Sequence, residues 1–348
     1  MVDVITFGCR MNAYESEVIK EKLQNFDNVI VINTCAVTGE AERQCRQEIR
    51  KLRRKNPDAK IVVTGCSAQV STSKLAKMPE IDLLLGNKEK REIEKYISNI
   101  SASKNSVSDI FQDENCGNHI ITGFEGRHKA FVQVQQGCNH RCTYCIVPYA
   151  RGKNRSVPAE LVIKQIRELL TKGFMQICLT GVDICSYEPS FSGLVEQILT
   201  QIPELPLLQF GSLDPAAVDD KFIELYSRFL NMDSHFHLSI QSGDNFILTR
   251  MGRRHNREKV INLCEKMRSV RSETTFGADF ICGFPTENEK AFENTCRLVN
   301  EADISKLHVF PYSEREGTPA AKWEQIPMEE RRRRAAVLRS LRPKNKGN

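Results

Sequence analysis

Apolar and polar positions repeat one figure along the chain: a short run of β-branched and aliphatic residues, then a longer stretch with helical spacing. Val2 to Phe7, Val29 to Asn33, Lys60 to Thr64 and Ile81 to Leu85 read as strands. Tyr14 to Gln24, Glu40 to Arg54 and Lys88 to Ile100 read as helices. Alternation of this kind predicts parallel strands joined by crossover helices, and hence an N-terminal doubly wound parallel α/β domain. Ser101 to Asn118, rich in Ser, Asn and Asp, reads as a linker and sets the domain boundary. A second series begins with Ala130 to Gln136 and continues through Met175 to Leu179, Leu207 to Gly211, His235 to Ile240, Phe276 to Ile281 and Lys306 to Phe310. Six strand-and-helix units predict an open, partial (β/α)6 barrel rather than a closed one of eight. Pro158, Pro215 and Pro285 mark helix starts after strands, and Pro327 to Leu341 reads as a last helix. The expected domains are residues 1–115, 116–320 and a basic helix and tail at 321–348.

At 348 residues there is length for two domains with separate cores. The 40% apolar and 27% charged composition is that of a soluble protein, and no apolar stretch approaches the ~20 residues of a membrane span. Met1 to Gly8 has neither a basic leader nor a small-residue cleavage site, so the expected compartment is the cytoplasm. In a reducing compartment, 13 cysteines argue for metal binding or catalysis over disulfides. A net charge of +6 suits a polyanionic partner such as RNA without identifying one.

The cysteines sharpen the picture. Cys138, Cys142 and Cys145, separated by three and then two residues, have a spacing that holds an iron-sulfur cubane with one iron left open. The competing readings are a zinc site and three structural cysteines. Zinc prefers four protein ligands, and His140 is too close in sequence to supply the usual paired spacing. In the first domain Cys9, Cys35 and Cys66 each follow a predicted strand. Each therefore stands at a carboxyl-terminal sheet edge, where distant residues converge on ligands. This predicts a shared metal site, against the alternative that each packs as a small hydrophobe. Cys45, Cys116, Cys178, Cys185, Cys264, Cys282 and Cys296 lack metal spacing and read as packing residues. His235 and His237 alternate on a strand with no carboxylate partner evident in sequence, and read as core histidines.

The carboxyl face of a barrel carries its active site. Strand-end segments Thr180 to Asp183, Ser212 to Asp214, Ser239 to Gly243 and Asp279 to Glu287 are therefore expected around the Cys138 loop. Tyr144, Gly181, Asp183, Ser212, Gln241 and Asp279 are the candidate cofactor contacts; Asp183 and Gln241 can hydrogen-bond a ribose or an amino-acid ammonium. Arg151 can offset a cluster's negative charge, meet a phosphate, or be a plain surface arginine. The run Arg331, Arg332, Arg333 and Arg334 is either a solvated helix face or an RNA contact.

On both cysteine sets, and on Cys145-Ile146-Val147-Pro148-Tyr149-Ala150-Arg151-Gly152, Gln241-Ser242-Gly243 and Gly283-Phe284-Pro285, the chain resembles the radical S-adenosylmethionine methylthiotransferases from Met1 to about Leu341. These attach a methylthio group to a tRNA adenosine or to a ribosomal protein aspartate. The resemblance implies two 4Fe-4S clusters: Cys138, Cys142 and Cys145 would hold the one that binds S-adenosylmethionine, and Cys9, Cys35 and Cys66 the auxiliary one. It further implies a tRNA partner, an external electron donor, a sulfur donor of unknown identity and a monomeric enzyme. Gly8 to Ser16, Asn33 to Thr38 and Thr180 to Asp183 are similar to the branch acting on N6-threonylcarbamoyladenosine at position 37, beside the anticodon. Isopentenyladenosine and the ribosomal aspartate are the alternatives within the family, and an electron-transfer iron-sulfur protein the alternative outside it. Two departures stand out. Too few residues follow Tyr312 for the small RNA-binding β-barrel, the TRAM domain, that usually ends such chains, and Cys185 stands where a glycine is more usual.

Overall fold

The computed structural model describes residues 2–100, 103–117, 119–124 and 128–341. Residues 101, 102 and 118 of the expected linker and the expected tail from 342 lie outside them. The chain forms two compact units, Met1–His140 with Ile146–Val182, and Arg141–Cys145 with Asp183–Asn348.

The first unit is built on five parallel strands in the order β1 (Val2–Thr6), β2 (Val29–Thr34), β3 (Lys60–Gly65), β4 (Leu83–Leu85) and β5 (Asn105–Ser106). Both faces are covered. Ile30, Ile32, Ile61 and Val63 pack with Ile49 and Leu52 of the helix Gly39–Lys55. Val29, Val31 and Val62 face the other way, toward Ile19 and Leu23 at the helix Arg10–Lys22 and Ile93 and Ile97 of the helix Ile93–Ser98. Burial on two sides is why β2 and β3 read as unbroken apolar runs.

The expected linker is no linker. Its residues 105–106 add the fifth strand to the sheet, Ile110 is buried, and buried Asp113 pairs with Arg155 at 3.2 Å and with Arg91 at 2.5 Å. Polar composition concealed this because a two-residue edge strand needs only backbone groups to pair. Nor does the boundary expected at residue 115 divide the two units. The first continues through β6 (Lys129–Gln133), the antiparallel pair β7 (Gln135–Gln136) and β8 (Arg155–Ser156), the helix Ala159–Thr171 and β9 (Gln176–Thr180), which runs parallel to β6.

The second unit holds β10 (Leu207–Phe210), β11 (His235–Gln241), β12 (Thr275–Cys282) and β13 (Ile304–Pro311), the last three forming a parallel sheet. Single bridges, Leu208 to Met232 and Leu213 to Leu238, tie the β10 segment to the chain around β11. All six expected barrel strands are therefore present. Phe236, Leu238 and Ile240 of β11 are buried, Phe236 against Phe222 and Tyr226 of the helix Asp220–Arg228. Helix starts differ from expectation at two prolines. Asp219 caps the helix after Pro215, and Asn288 caps Glu289–Glu301 after Pro285. A side-chain acceptor fixes a helix start more firmly than a preceding proline does.

The last helix is Met328–Ser340, and its arginine run does not present one basic face. Arg331 is buried and donates to the carbonyls of Tyr312 and Ile326, to Gln325 and to Glu314. Arg334 is buried against Glu287 and Glu330, and Arg333 pairs with Glu330 and Glu289. Helical periodicity turns positions 331 and 334 inward together, which removes both from any RNA contact. Arg332 remains exposed.

Candidate active site

Cys35 and Cys66 follow β2 and β3 directly, Cys9 follows β1 after Phe7 and Gly8, and the ends of these strands are locked by buried polar side chains. Asn12 Nδ2 donates to the carbonyls of Phe7 at 2.6 Å and Thr34 at 2.9 Å. Asn33 Nδ2 returns a bond to the Asn12 carbonyl at 3.0 Å, and Thr34 Oγ1 donates to the Thr64 carbonyl at 2.6 Å. The three loops are thereby fixed to one another before any ligand arrives. Close approach is built into Gly8, with φ of +98°: a Cβ there would fall 2.7 Å from both Cβ and Sγ of Cys35.

Beside this trio lies Arg151, at the end of the short helix Val147–Arg151 and only 2% exposed. Its Nε donates to Cys66 Sγ at 3.1 Å, its Nη2 to Asn12 Oδ1 at 2.5 Å and to Glu15 Oε2 at 3.0 Å, and its Nη1 to Glu15 Oε1. Lys90 Nζ meets the same carboxylate at 2.6 Å, and Gln136 Nε2 reaches it at 3.1 Å. Burial opposes the charge on Glu15, yet Arg151 and Lys90 outweigh it and hold the carboxyl at about 2. Burial brings Lys90 down to about 8 against the attraction of Glu15. Burial likewise pushes the Cys35 thiol up to about 12, with the charges of Cys66 and Cys9 adding to it. Sulfurs that raise one another's proton affinity form a donor set that gains from a cationic centre, and thiolates are the ligands iron-sulfur clusters take. The residues fit such a group. Of the three roles open to Arg151, the structure supports only neutralisation beside a thiolate; a buried guanidinium meets neither RNA nor bulk solvent.

Glu15 and Arg151 also line a cavity of about 310 Å³, with Tyr14, Lys90, Arg91, Asp113 and Arg155 among others. Its cations are all engaged: Lys90 with Glu15, Arg91 and Arg155 with Asp113.

Cys138 lies in the first unit, where its N–H donates to the Gly152 carbonyl at 3.0 Å; Cys142 and Cys145 lie in the second. There the segment Arg141–Cys145 is pinned by backbone bonds from Thr143 N to the Met251 carbonyl at 2.9 Å and from Ala320 N to the Thr143 carbonyl at 2.9 Å. Tyr144 packs edge-on to Phe284, beyond the end of β12. Arg253 Nη1 approaches Cys142 Sγ at 3.7 Å, while its Nη2 donates to the Ser239 carbonyl at 2.7 Å and meets Asp214 at 3.3 Å. Asp214, also paired with Arg254 and His255, is held far below the usual carboxylate range: its burial is outweighed by His255 and by the arginines. Each cysteine set thus has one guanidinium against a sulfur.

The other expected contacts take distinct places. Tyr144 and Gln241, the latter with φ of 74° at the end of β11, stand at the carboxyl end of the β11–β13 sheet. Ser212 is exposed after β10. Asp183 accepts from Ser186 Oγ at 2.6 Å in a tight turn, and Gly181 lies in the first unit after β9. Burial, then Asp183, pushes the Cys185 thiol up, in keeping with a packing role. Asp279 is engaged within the sheet by two histidines, His237 at 3.0 Å and His308 at 3.5 Å, so the reading of His237 as having no carboxylate partner is corrected. A pairing between adjacent strands leaves no trace in local sequence.

Sequence reading missed Asn12, Glu15, Lys90 and Arg253. One signal was available. Asn12, Glu15, Ser16 and Ile19 share the buried side of one helix, and polar residues at core spacing mark a buried network.

The fold and the two cysteine sets define a radical S-adenosylmethionine enzyme, and comparison with known proteins agrees. The Radical SAM superfamily matches residues 132–299, and Uncharacterized protein family UPF0004 matches residues 1–86. The chain is 48% identical, over 97% of its length and 82% of the relative's, to the threonylcarbamoyladenosine tRNA methylthiotransferase MtaB of Rickettsia prowazekii (strain Madrid E). It is 34% identical, over 97% of its length and 82% of the relative's, to the tRNA-2-methylthio-N(6)-dimethylallyladenosine synthase of Carboxydothermus hydrogenoformans. Among solved structures, the radical S-adenosylmethionine methyltransferase TsrM of Kitasatospora setae shares the fold, with a TM-score of 0.66 at 14% identity over 92% of this chain and 74% of that one. The chain belongs to the radical S-adenosylmethionine methylthiotransferase family. With that family come S-adenosylmethionine and a 4Fe-4S cluster. No helix among the described residues is long and apolar enough to cross a membrane.

Proposed function

We propose that this enzyme attaches a methylthio group to C2 of N6-threonylcarbamoyladenosine, adenosine 37 of tRNA beside the anticodon. Cys138, Cys142 and Cys145 hold the cluster that meets S-adenosylmethionine, and Cys9, Cys35 and Cys66 hold a second 4Fe-4S cluster. The observation that carries the reading is the gathering of three strand-end thiols near one another, with a buried guanidinium bonded to the sulfur of Cys66, a site a simple radical generator does not need. When bound, the clusters supply reductive cleavage of S-adenosylmethionine and a place for sulfur. The protein's own residues do the rest. Arg151 offsets thiolate charge at Cys66 and is itself fixed by Glu15 and Asn12. Arg253 does the same at Cys142, and Tyr144 with Phe284 closes the apolar side. Such neighbours orient ligands and tune the group they hold. Electrons come from an external donor, and the chain works as a monomer in the cytoplasm.

The test is reconstitution with tRNA carrying the threonylcarbamoyl group, S-adenosylmethionine and a reductant, read by mass spectrometry of nucleosides. Wild type gives the methylthio nucleoside. A Cys9→Ala, Cys35→Ala, Cys66→Ala variant loses about half its iron and all of that product, yet still releases 5'-deoxyadenosine. Full iron in the variant, or no product from any such tRNA with wild type, refutes the reading.

A further inference from the structure

The β11–β13 sheet turns its large apolar side chains toward the helices and a polar row to the opposite face. That row is His235, His237 and Ser239 on β11, Gly277 and Asp279 on β12, and Lys306, His308 and Phe310 on β13. Gly277 makes the row possible: a Cβ there would stand 2.7 Å from His237 Nδ1 and 3.4 Å from Lys306 Cβ. The His237 and His308 ring centroids lie 4.6 Å apart, and both rings reach the same oxygen of Asp279, Oδ1. His237 is buried, and its Nε2 lies 3.0 Å from Asp279 Oδ1. His308 is 59% exposed, Phe310 is exposed, and exposed Lys306 has no ion-pair partner among the described residues. The row thus sets three imidazoles and an ammonium against one carboxylate, on a surface already organised by Asp279.

Resting on the substrate reading above, we infer that this row reads the N6 substituent: Lys306 and His308 receive the carboxylate of the threonylcarbamoyl group, and Phe310 receives the adenine ring. Two arguments carry this. The first is position. Arg253 joins Cys142 to Ser239, so the carboxyl end of the row lies beside a cluster cysteine. Each pair of strand residues spans about 7 Å. A base held at the level of Phe310 keeps C2 near that end, and its N6 group extends back along the strand past His308 to Lys306. The second is chemistry. A threonylcarbamoyl group ends in a carboxylate and a hydroxyl. Lys306 and a ring N–H of His308 donate to the first, and Lys306 can also donate to the oxygen of the second. A dimethylallyl group offers neither and would leave these side chains desolvated without partners, which is how a polar site rejects an apolar analogue.

The experiment uses the reconstituted full-length enzyme and two anticodon stem-loop RNAs, one carrying N6-threonylcarbamoyladenosine and one with its threonyl carboxylate blocked as the methyl ester. Wild type is expected to prefer the free acid by at least about tenfold in kcat/KM. The Lys306→Met, His308→Leu variant changes only exposed positions. It is expected to lose roughly tenfold to a hundredfold on the acid, mainly through KM, with little change on the ester or in 5'-deoxyadenosine release. Equal losses on both RNAs, no loss on either, or a stoichiometric divalent cation that disappears in the variant would overturn the inference. Wild type that ignores the threonylcarbamoyl RNA and modifies a dimethylallyladenosine RNA overturns the substrate reading itself, before any variant is made.

Discussion

Glu15 carries its charge in the interior because two cations, Arg151 and Lys90, close on it from different parts of the chain. Its carboxyl is held at about 2, below its ordinary 4.5. A carboxyl depressed in the folded state contributes stability that is full above pH 4.5 and is lost as the pH falls toward 2. That drop corresponds to at most about 3 kcal/mol. Denaturant unfolding of the cluster-free chain is therefore expected to show a steep loss of stability between pH 4.5 and 3, and Glu15→Gln to flatten that limb while lowering stability at pH 7. An unchanged limb in the variant refutes the assignment. The strand-end placement of Cys9, Cys35 and Cys66 was legible in sequence, since strand runs and the cysteines that follow them are local signals. Arg151 was named but left with three roles, because its partners Asn12, Glu15 and Cys66 are 85 or more positions away.

At the level of elements, the strands were the most legible part. Runs buried on both faces announce themselves, as β2 and β3 do, and so does the alternation in β11. What composition could not reveal was an element held by backbone alone, β5, or a helix whose charged residues point inward. Arg331 shows the second case. Replacing it with Met leaves the Tyr312 and Ile326 carbonyls short of a donor inside the protein, and the expected cost is about 2–4 kcal/mol. Arg332→Ala, one residue on and exposed, is expected to change stability by less than about 0.5 kcal/mol. Thermal melts of the two variants compare them directly, and similar melting temperatures would contradict the inward reading of Arg331.

For the whole molecule, the expected boundary at 115 cuts through a working unit. A chain ending there keeps Cys9, Cys35 and Cys66 and loses Arg151, whereas one ending at 182 keeps all four. With Cys138, Cys142 and Cys145 replaced by Ala in the longer chain, it is expected to take up about four irons on reconstitution and the shorter one few or none. Equal iron in both would show the guanidinium to be dispensable. Domain boundaries were the least legible feature because they are set by contacts at long sequence separation, and the helix Val147–Arg151 returns to the first unit after the chain has passed through the second.

The placement of Arg151 also has a meaning in time. Its partner sulfur, on Cys66, is made 85 residues earlier. At roughly 5–20 residues per second, synthesis delivers the third thiol several seconds before the charge that balances it. During that interval the nascent trio is open to oxidation and to stray metals. On the proposed reading, loading of this site belongs after the ribosome has passed the second cysteine set, and a cell short of reducing power would lose the cluster proposed for this trio first.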